Sequence, residues 1–412
     1  MMAQALAASD GTVQSLSQDD LDCERCFAQD DMVYDLKALG VQIIDSSCPA
    51  GQNQILNYLR KAEHMLSIDF DCDPDSTVSL HPTFTTDRTS CTGGNPALGT
   101  NDPGSSCQRN LEVINLGAAF EAVRSAGREL KDVVLAIIDT GVDMTHPDLV
   151  TQFWRNHHNN IGYNFLFNNT NVTDDHGHGT HCAGIAAAQT NNCIGIAGVT
   201  NIDGSAPKVK LMILKFINAS GIGYQSDSLR ALDFAIEKGA AFSSHSYRWP
   251  NRSEIFETAY KNAAAAGHLA FFGAGNEEVN LDDAPVYPCS YAEETSMVCV
   301  AASTSDPTKT IWLASFSNAG SVTKVAAPGS AIYSTMPDGQ YDFMTGTSMS
   351  TPTVAGVAAL LGTLGLDSQK IVDTIMKSRT EDLQNKFGLS DIGLINAYKA
   401  VQIALSSPAT RY

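Results

Sequence analysis

From residue 110 onward the chain alternates two patterns of apolar positions. Short apolar runs at 133–138, 209–214, 240–244, 269–272 and 297–302 suit strands buried on both faces. Between them, 227–239 and 254–267 space their apolar residues like amphipathic helices and close on Gly239 and Gly267. Strands alternating with helices in this way predict an α/β fold of three layers, a parallel sheet with helices on both faces. Sites in such folds gather beyond the carboxyl ends of the strands, so the residues just after each run are where chemistry is expected.

The first 110 residues read differently. Residues 31–40 have helical spacing closed by Gly40, 41–44 suit a strand, 54–62 a second helix, and 66–70 alternate like a strand. This predicts a small α+β unit over 31–78. From 79 to 110 the composition turns to Thr, Ser, Gly, Asn and Pro, which predicts a linker before a main domain over 111–405. Residues 1–30 are expected to be a disordered or unprocessed N-terminus, and 406–412 a tail. The opening Met1-Met-Ala-Gln-Ala-Leu-Ala-Ala-Ser9 has neither a charged start nor an apolar core, so it is not an intact signal peptide.

Charge and cysteine content narrow the classes of partner. The 412 residues carry a formal charge of −19, and acidic side chains crowd the first quarter. A nucleic-acid partner would call for a basic face, so none is expected. No run of about 18 apolar residues is present, so no membrane span is expected either. The ten cysteines, an even number in each half, are compatible with disulfides. Cys23-x-x-Cys26 lacks the second pair that a zinc site needs, so disulfide or free thiol is preferred. Sequons at Asn168, Asn171, Asn218 and Asn251 fit a secreted protein.

Four stretches place chemistry-bearing residues where the fold would use them. Asp139 directly follows the run 133–138, at a strand end facing the crevice. His178 stands between two glycines in Gly177-His-Gly-Thr-His-Cys-Ala-Gly184, free to approach a carboxylate and a hydroxyl. Asn276 ends Phe271-Phe-Gly-Ala-Gly-Asn276, where its amide can donate to a developing charge. Ser348 lies in Thr345-Gly-Thr-Ser-Met-Ser-Thr-Pro352 at the head of an Ala/Gly-rich helix. Backbone N–H groups there have no helical partner and can hold an oxyanion. Taken alone, Ser348 reads first as a helix cap, and the rest of the chain reverses that order.

Together these pieces resemble the subtilisin-like serine proteases, the subtilases, whose chain order of Asp, His and Ser is that of subtilisin itself. Further matching motifs are Ile138-Asp-Thr-Gly, His146-Pro-Asp-Leu, Ala314-Ser-Phe-Ser-Asn, Ala326-Ala-Pro-Gly and Gly393-Leu-Ile-Asn-Ala397. The resemblance implies a serine endopeptidase acting as a monomer on protein or peptide substrates. Ser348 would be its nucleophile, His178 its base, Asp139 the residue orienting that base, and Asn276 part of the oxyanion hole. It implies substrate pairing along Ser246, Tyr247 and Arg248. It also implies a structural Ca²⁺ held by Asp148, Asn192 and the carbonyls of Thr190, Ile194 and Ile196, although an Asn/Gly turn without metal fits the same loop. The N-terminal unit resembles an inhibitory prosegment cut off between 79 and 110, and an unrelated appendage stapled by its cysteines is the other reading.

Where the family commonly has glycines, this chain has Arg248 and Trp249, which predicts a narrowed cleft favouring acidic side chains. A peptide-binding protein without activity is the alternative. Metal-assisted hydrolysis by Asp174, Asp175, His176, His178 and His181 is a third reading.

Overall fold

The structure is a computed structural model, and it describes residues 33–44, 59, 75–84, 91–204, 206–295, 297–380 and 383–406. Four short strands come first: β1 (Val33–Leu36), β2 (Val41–Ile44), β3 (Thr77–Ser79) and β4 (Thr83–Phe84). The next are β5 (Val133–Asp139), β6 (Gly162–Asn164), β7 (Val209–Lys215), β8 (Ile222–Tyr224), β9 (Phe242–His245), β10 (Leu269–Gly273) and β11 (Val298–Ser303). Last come β12 (Val325–Pro328), β13 (Ile332–Met336), β14 (Gln340–Thr345) and β15 (Gly393–Leu394).

Eight of these form one sheet in the order β15-β12-β11-β10-β9-β5-β7-β6, and every pair in it is parallel. Alternate residues of each strand point to opposite faces, and both faces are apolar because both are covered. Leu135 and Ile137 face a layer built by the helices Leu116–Ala126, His178–Ala187 and Thr347–Thr363. Ala136 and Ile138 face the layer built by Gln225–Glu237 and Glu254–Ala265. This is the expected three-layer α/β fold. Outward progress from β5 runs through β7 on one side and then jumps to β9 on the other, so the crevice opens over β5.

Two expectations for the N-terminal part are overturned. Residues 31–40 do not form a helix over their described part; β1 and β2 make an antiparallel hairpin, with Val33 opposite Ile44. Gly40, at φ +65°, closes its turn as glycine does in the left-handed region. The hairpin docks on the main domain: Ala38 N donates to Asp233 Oδ1 at 2.9 Å, and Asn262 Nδ2 donates to the Leu39 carbonyl at 2.7 Å. The expected helix at 54–62 and strand at 66–70 lie outside the described residues, apart from residue 59.

The described part of 79–110 is not a loose linker. Leu98 joins the core, a disulfide links Cys91 and Cys107, and the buried Asp102 carboxylate accepts from Asn191 N at 2.8 Å and Asn192 N at 3.0 Å. Its polar composition builds turns by side chain–backbone bonds: Asn95 Oδ1 accepts from Ala97 N at 3.0 Å. A second disulfide joins Cys289 and Cys299, whereas Cys182 and Cys193 are free thiols, one buried and one exposed.

Candidate active site

The end of β5 sets the first side chain. Asp139 is its last residue and is buried; its Oδ1 accepts from Thr140 N at 2.7 Å and lies 2.7 Å from His178 Nδ1. His178 begins the helix His178–Ala187, which can come this near because Gly179 packs on Gly141. A Cβ on Gly179 would lie 2.2 Å from the Gly141 carbonyl oxygen. Burial opposes charge on the imidazole, but the Asp139 carboxylate, aided by Cys182, outweighs it and holds the His178 pKa well above the ordinary value.

Asp174 anchors the start of that helix. Its Oδ1 accepts from Thr140 Oγ1, His176 N and Gly177 N, and its Oδ2 from Thr180 N and Thr180 Oγ1, at 2.6 to 3.0 Å. Burial alone would raise this carboxyl, yet those donors draw its pKa below the usual range. Reading Asp174 as a metal ligand is therefore a misassignment. Its neighbours disperse as well: Asp175 pairs with Lys215 at 2.7 Å, and His181 Nε2 faces the Ile332 and Asp342 carbonyls at 3.0 and 3.2 Å. Among the described residues, the only trio of His, Cys, Asp or Glu able to share an ion is Asp139, His178 and Cys182.

The helix Thr347–Thr363 carries Ser348 at its second position and is buried throughout. Pro352 has no N–H to give to the carbonyl of residue 348, four positions back. That carbonyl is served from β9's continuation, where Ser246 Oγ donates at 3.0 Å, with Cys182 Sγ at 3.5 Å. The Ser348 hydroxyl in turn donates to the Ser246 carbonyl at 3.2 Å. His178 Nε2 has no hydrogen-bond partner, so the hydroxyl and imidazole are not joined in this conformation. Asn276 is fixed by its oxygen, which accepts from Thr347 N at 2.8 Å and Thr347 Oγ1 at 3.0 Å. The amide NH₂ is left facing the cleft, where it donates to the His81 carbonyl at 3.0 Å. Gly275, at φ +100°, makes the turn that allows this.

The three residues expected to pair with substrate divide. Ser246 lies in the site. Tyr247 is a core residue, its hydroxyl 2.6 Å from His245 Nδ1. Arg248 reaches the cleft but is matched by Glu277 at 2.6 Å, so the expected pull on acidic substrates is met from within the chain. Trp249 is wholly buried against Phe256 and does not narrow the cleft. Glu277 went unnoticed in the sequence.

The loop 190–196 gathers around Asp148. Its Oδ1 accepts from Asn192 Nδ2 at 2.7 Å, and its Oδ2 from Ile196 N at 2.8 Å and Tyr341 OH at 3.2 Å. Burial, reinforced by Asp102, pushes the Asp148 pKa up to about 7 against the pull of those donors. Thr190 Oγ1 is buried without a partner. Two buried carboxylates, an orphaned hydroxyl and a loop of carbonyls are a donor set suited to a hard cation.

An all-parallel sheet with a carboxylate, an imidazole, a hydroxyl and an amide collected over its switch point defines a class of α/β protein whose site lies beyond the strand ends. Comparison with known proteins narrows it. The subtilase family pattern matches residues 130–389. Thermitase from Thermoactinomyces vulgaris is 36% identical over 303 residues, spanning 73% of this chain and 99% of thermitase. Subtilisin E from Bacillus subtilis (strain 168) is 36% identical over 242 residues, 58% of each chain. The crystal structure of a cold adapted subtilisin-like serine proteinase superposes with a TM-score of 0.54 at 26% identity, covering 66% of this chain and 90% of that one. The chain belongs to the subtilase family and is a subtilisin-like serine endopeptidase.

Proposed function

We propose that Ser348, His178 and Asp139 are the catalytic residues of this peptidase, with Asn276 as an oxyanion donor. The observation that carries the reading is the buried 2.7 Å contact between His178 Nδ1 and Asp139 Oδ1 at the carboxyl end of the central strand. A turn about the Ser348 side chain frees its hydroxyl from the Ser246 carbonyl and offers it to His178 Nε2. The hydroxyl oxygen then attacks a peptide carbonyl carbon while Nε2 takes its proton, and Asp139 stabilises the imidazolium. The C–N bond breaks as His178 returns the proton to the leaving nitrogen, and water hydrolyses the resulting ester by the same route. Asn276 Nδ2 and the Ser348 N–H bind the oxyanion. One such donor contributes about 3 to 4 kcal/mol in subtilisin.

A divalent calcium ion fits the Asp148 loop, with Asp148, Asn192 and the carbonyls of Thr190, Ile194 and Ile196 as ligands. It would supply charge neutralisation there and hold the loop against Asp102. The protein acts on protein or peptide substrates as a secreted monomer made as a zymogen, its N-terminal part serving as inhibitor. No helix among the described residues is long and apolar enough to cross a membrane. The test is labelling with a fluorophosphonate. Labelling confined to Ser348 and lost in Ser348→Ala supports the assignment; labelling that survives Ser348→Ala overturns it.

A further inference from the structure

β5 and β7 lie side by side and end together, with Asp139 opposite Lys215. Alternation puts Leu135, Ile137 and Asp139 in one row and Leu211, Ile213 and Lys215 in the next, and the apolar members of both rows pack in the layer that holds the helix His178–Ala187. The two strands therefore carry a carboxylate and an ammonium to the same face. The Lys215 side chain is only 2% exposed, and a buried ammonium is costly unless its N–H groups find acceptors. It donates to the Thr140 carbonyl at 2.5 Å, to Asp175 Oδ1 at 2.7 Å and to the Ile217 carbonyl at 3.1 Å. An ammonium has three N–H donors and all are engaged, so none is left for a substrate. Its acceptors belong to the stretches that set the His178–Asp139 contact. On one side the Asp139 carbonyl accepts from Phe216 N at 3.1 Å, Thr140 N donates to the Asp139 carboxylate at 2.7 Å, and Thr140 Oγ1 accepts from Gly179 N at 2.8 Å. On the other, Asp175 adjoins Asp174, which ties down His176 N and Gly177 N.

We infer that Lys215 is a positioning residue for the peptidase, pinning the strand end that carries Asp139 to the loop that carries His178, with Asp175 as its anionic partner. This rests on the mechanism proposed above. Asp174 cannot take the partner's place, because both its oxygens are already filled by donors of its own loop and of Thr140. Take the ammonium away, and the buried Thr140 and Ile217 lose the donor to their carbonyls while the loop loses its tie to the strand end. Movement there lengthens the 2.7 Å contact that orients the imidazole, and a misplacement of about 1 Å can cost about 100-fold in rate. Binding in the cleft is spared, because Thr140, Asp175 and Ile217 are not among the residues lining the cavity beside Ser348. Lys215 thus acts on the rate of attack and not on affinity.

The experiment uses the full chain as parent and as Asp175→Ala, Asp175→Glu, Lys215→Met and Ser348→Ala. It reads the limiting rate of fluorophosphonate labelling at Ser348, the probe concentration that gives half that rate, and the midpoint of thermal unfolding. Asp175→Ala is expected to lower the limiting rate about tenfold or more and to leave the half-saturating concentration within about twofold. Asp175→Glu keeps a carboxylate within reach of the ammonium and is expected to recover most of the loss. Lys215→Met should lose at least as much as Asp175→Ala; should it fail to fold, the two Asp175 variants, changed at a side chain 48% exposed, decide alone. An unchanged limiting rate in Asp175→Ala, whatever happens to the unfolding midpoint, overturns the inference. So does an equal loss in Asp175→Ala and Asp175→Glu, or a loss carried by the half-saturating concentration. In all of these the parent still labels at Ser348 and the peptidase assignment stands. A parent that does not label, or labelling that survives Ser348→Ala, brings down that assignment and the inference with it.

Discussion

Acidification strikes this protein in its core before it reaches the surface charges. Under the sheet, the Ala240 carbonyl can only accept, so His268 Nδ1, 2.8 Å away, must carry the proton. His268 Nε2 then accepts from Ser243 Oγ at 2.7 Å, and the Ser243 oxygen accepts from His245 Nε2 at 2.6 Å. His245 Nδ1 is left to accept from the Tyr247 hydroxyl at 2.6 Å. An extra proton on His268 would leave the Ser243 hydroxyl hydrogen without an acceptor. Burial pushes the His268 pKa down to about 4, and burial together with His268 pushes His245 well below the ordinary value of 6.5. Burial, with His178 adding to it, likewise lowers His181 to about 3.

In each case the unfolded chain binds the proton more readily, so stability present above pH 6.5 is lost as the pH falls, for His268 down to about pH 4. The slope is about 1.4 kcal/mol per pH unit for each ring, so near pH 5 His268 and His181 together remove about 4 kcal/mol from a total of about 5–15 kcal/mol, and His245 acts in the same direction. His178 adds no slope in this window, because its raised pKa leaves it protonated in both states below 6.5. The assay is thermal unfolding followed by calorimetry across this pH range, on Ser348→Ala protein to prevent self-digestion. Adding His268→Phe should reduce the slope near pH 5.5 by about one proton, whatever its effect on absolute stability. An identical slope in both proteins would mean that His268 titrates freely in the folded state, and the reasoning would fail.

Other consequences are as direct. Because His178 must be unprotonated to act as base and its pKa is raised, kcat/KM should rise with pH along a limb lying above 6.5; a limb at or below that value contradicts the Asp139 pairing. Without a cation, the raised Asp148 pKa favours the protonated form, so this site loses stability as pH climbs from 3.8 to about 7. Calcium at about pH 8 and about a hundred times its Kd should restore about 2.7 kcal/mol, and Asp148→Asn should abolish most of that gain. Equal calorimetric shifts in parent and variant would move the ion elsewhere.

The central sheet was legible because its strands are covered on both faces, so each buried run, such as 133–138, announces itself without help from its neighbours. Asp139, His178, Asn276 and Ser348 stood out for a related reason: each sits where a period breaks, at a strand end or beside glycines. The N-terminal part lacked any such signal. Residues 33–44 carry an apolar spacing that a helix and a hairpin can both accommodate, and the choice falls to the surface they dock on, where Asp233 and Asn262 satisfy the turn. In 91–107 the ordering comes from a disulfide and from buried side chain–backbone bonds, neither of which needs an apolar repeat.

Around the cleft, one misreading was avoidable and one was not. An extended segment places alternate residues on one side, so 245, 247 and 249 go together. His245 and Tyr247 next to an apolar strand already assign Trp249 to the core, and the same alternation sends Ser246 and Arg248 toward the site. What no local pattern reveals is that Glu277, from the turn after β10, neutralises Arg248, or that the short stretch 77–84, interrupted by Pro82, becomes extended because two walls supply its hydrogen bonds. A cleft is made of unpaired edges that take a partner from outside their own element. Reading it from sequence therefore requires asking which distant segment has the polarity and length to fill it, and in this chain residues 77–84 do so.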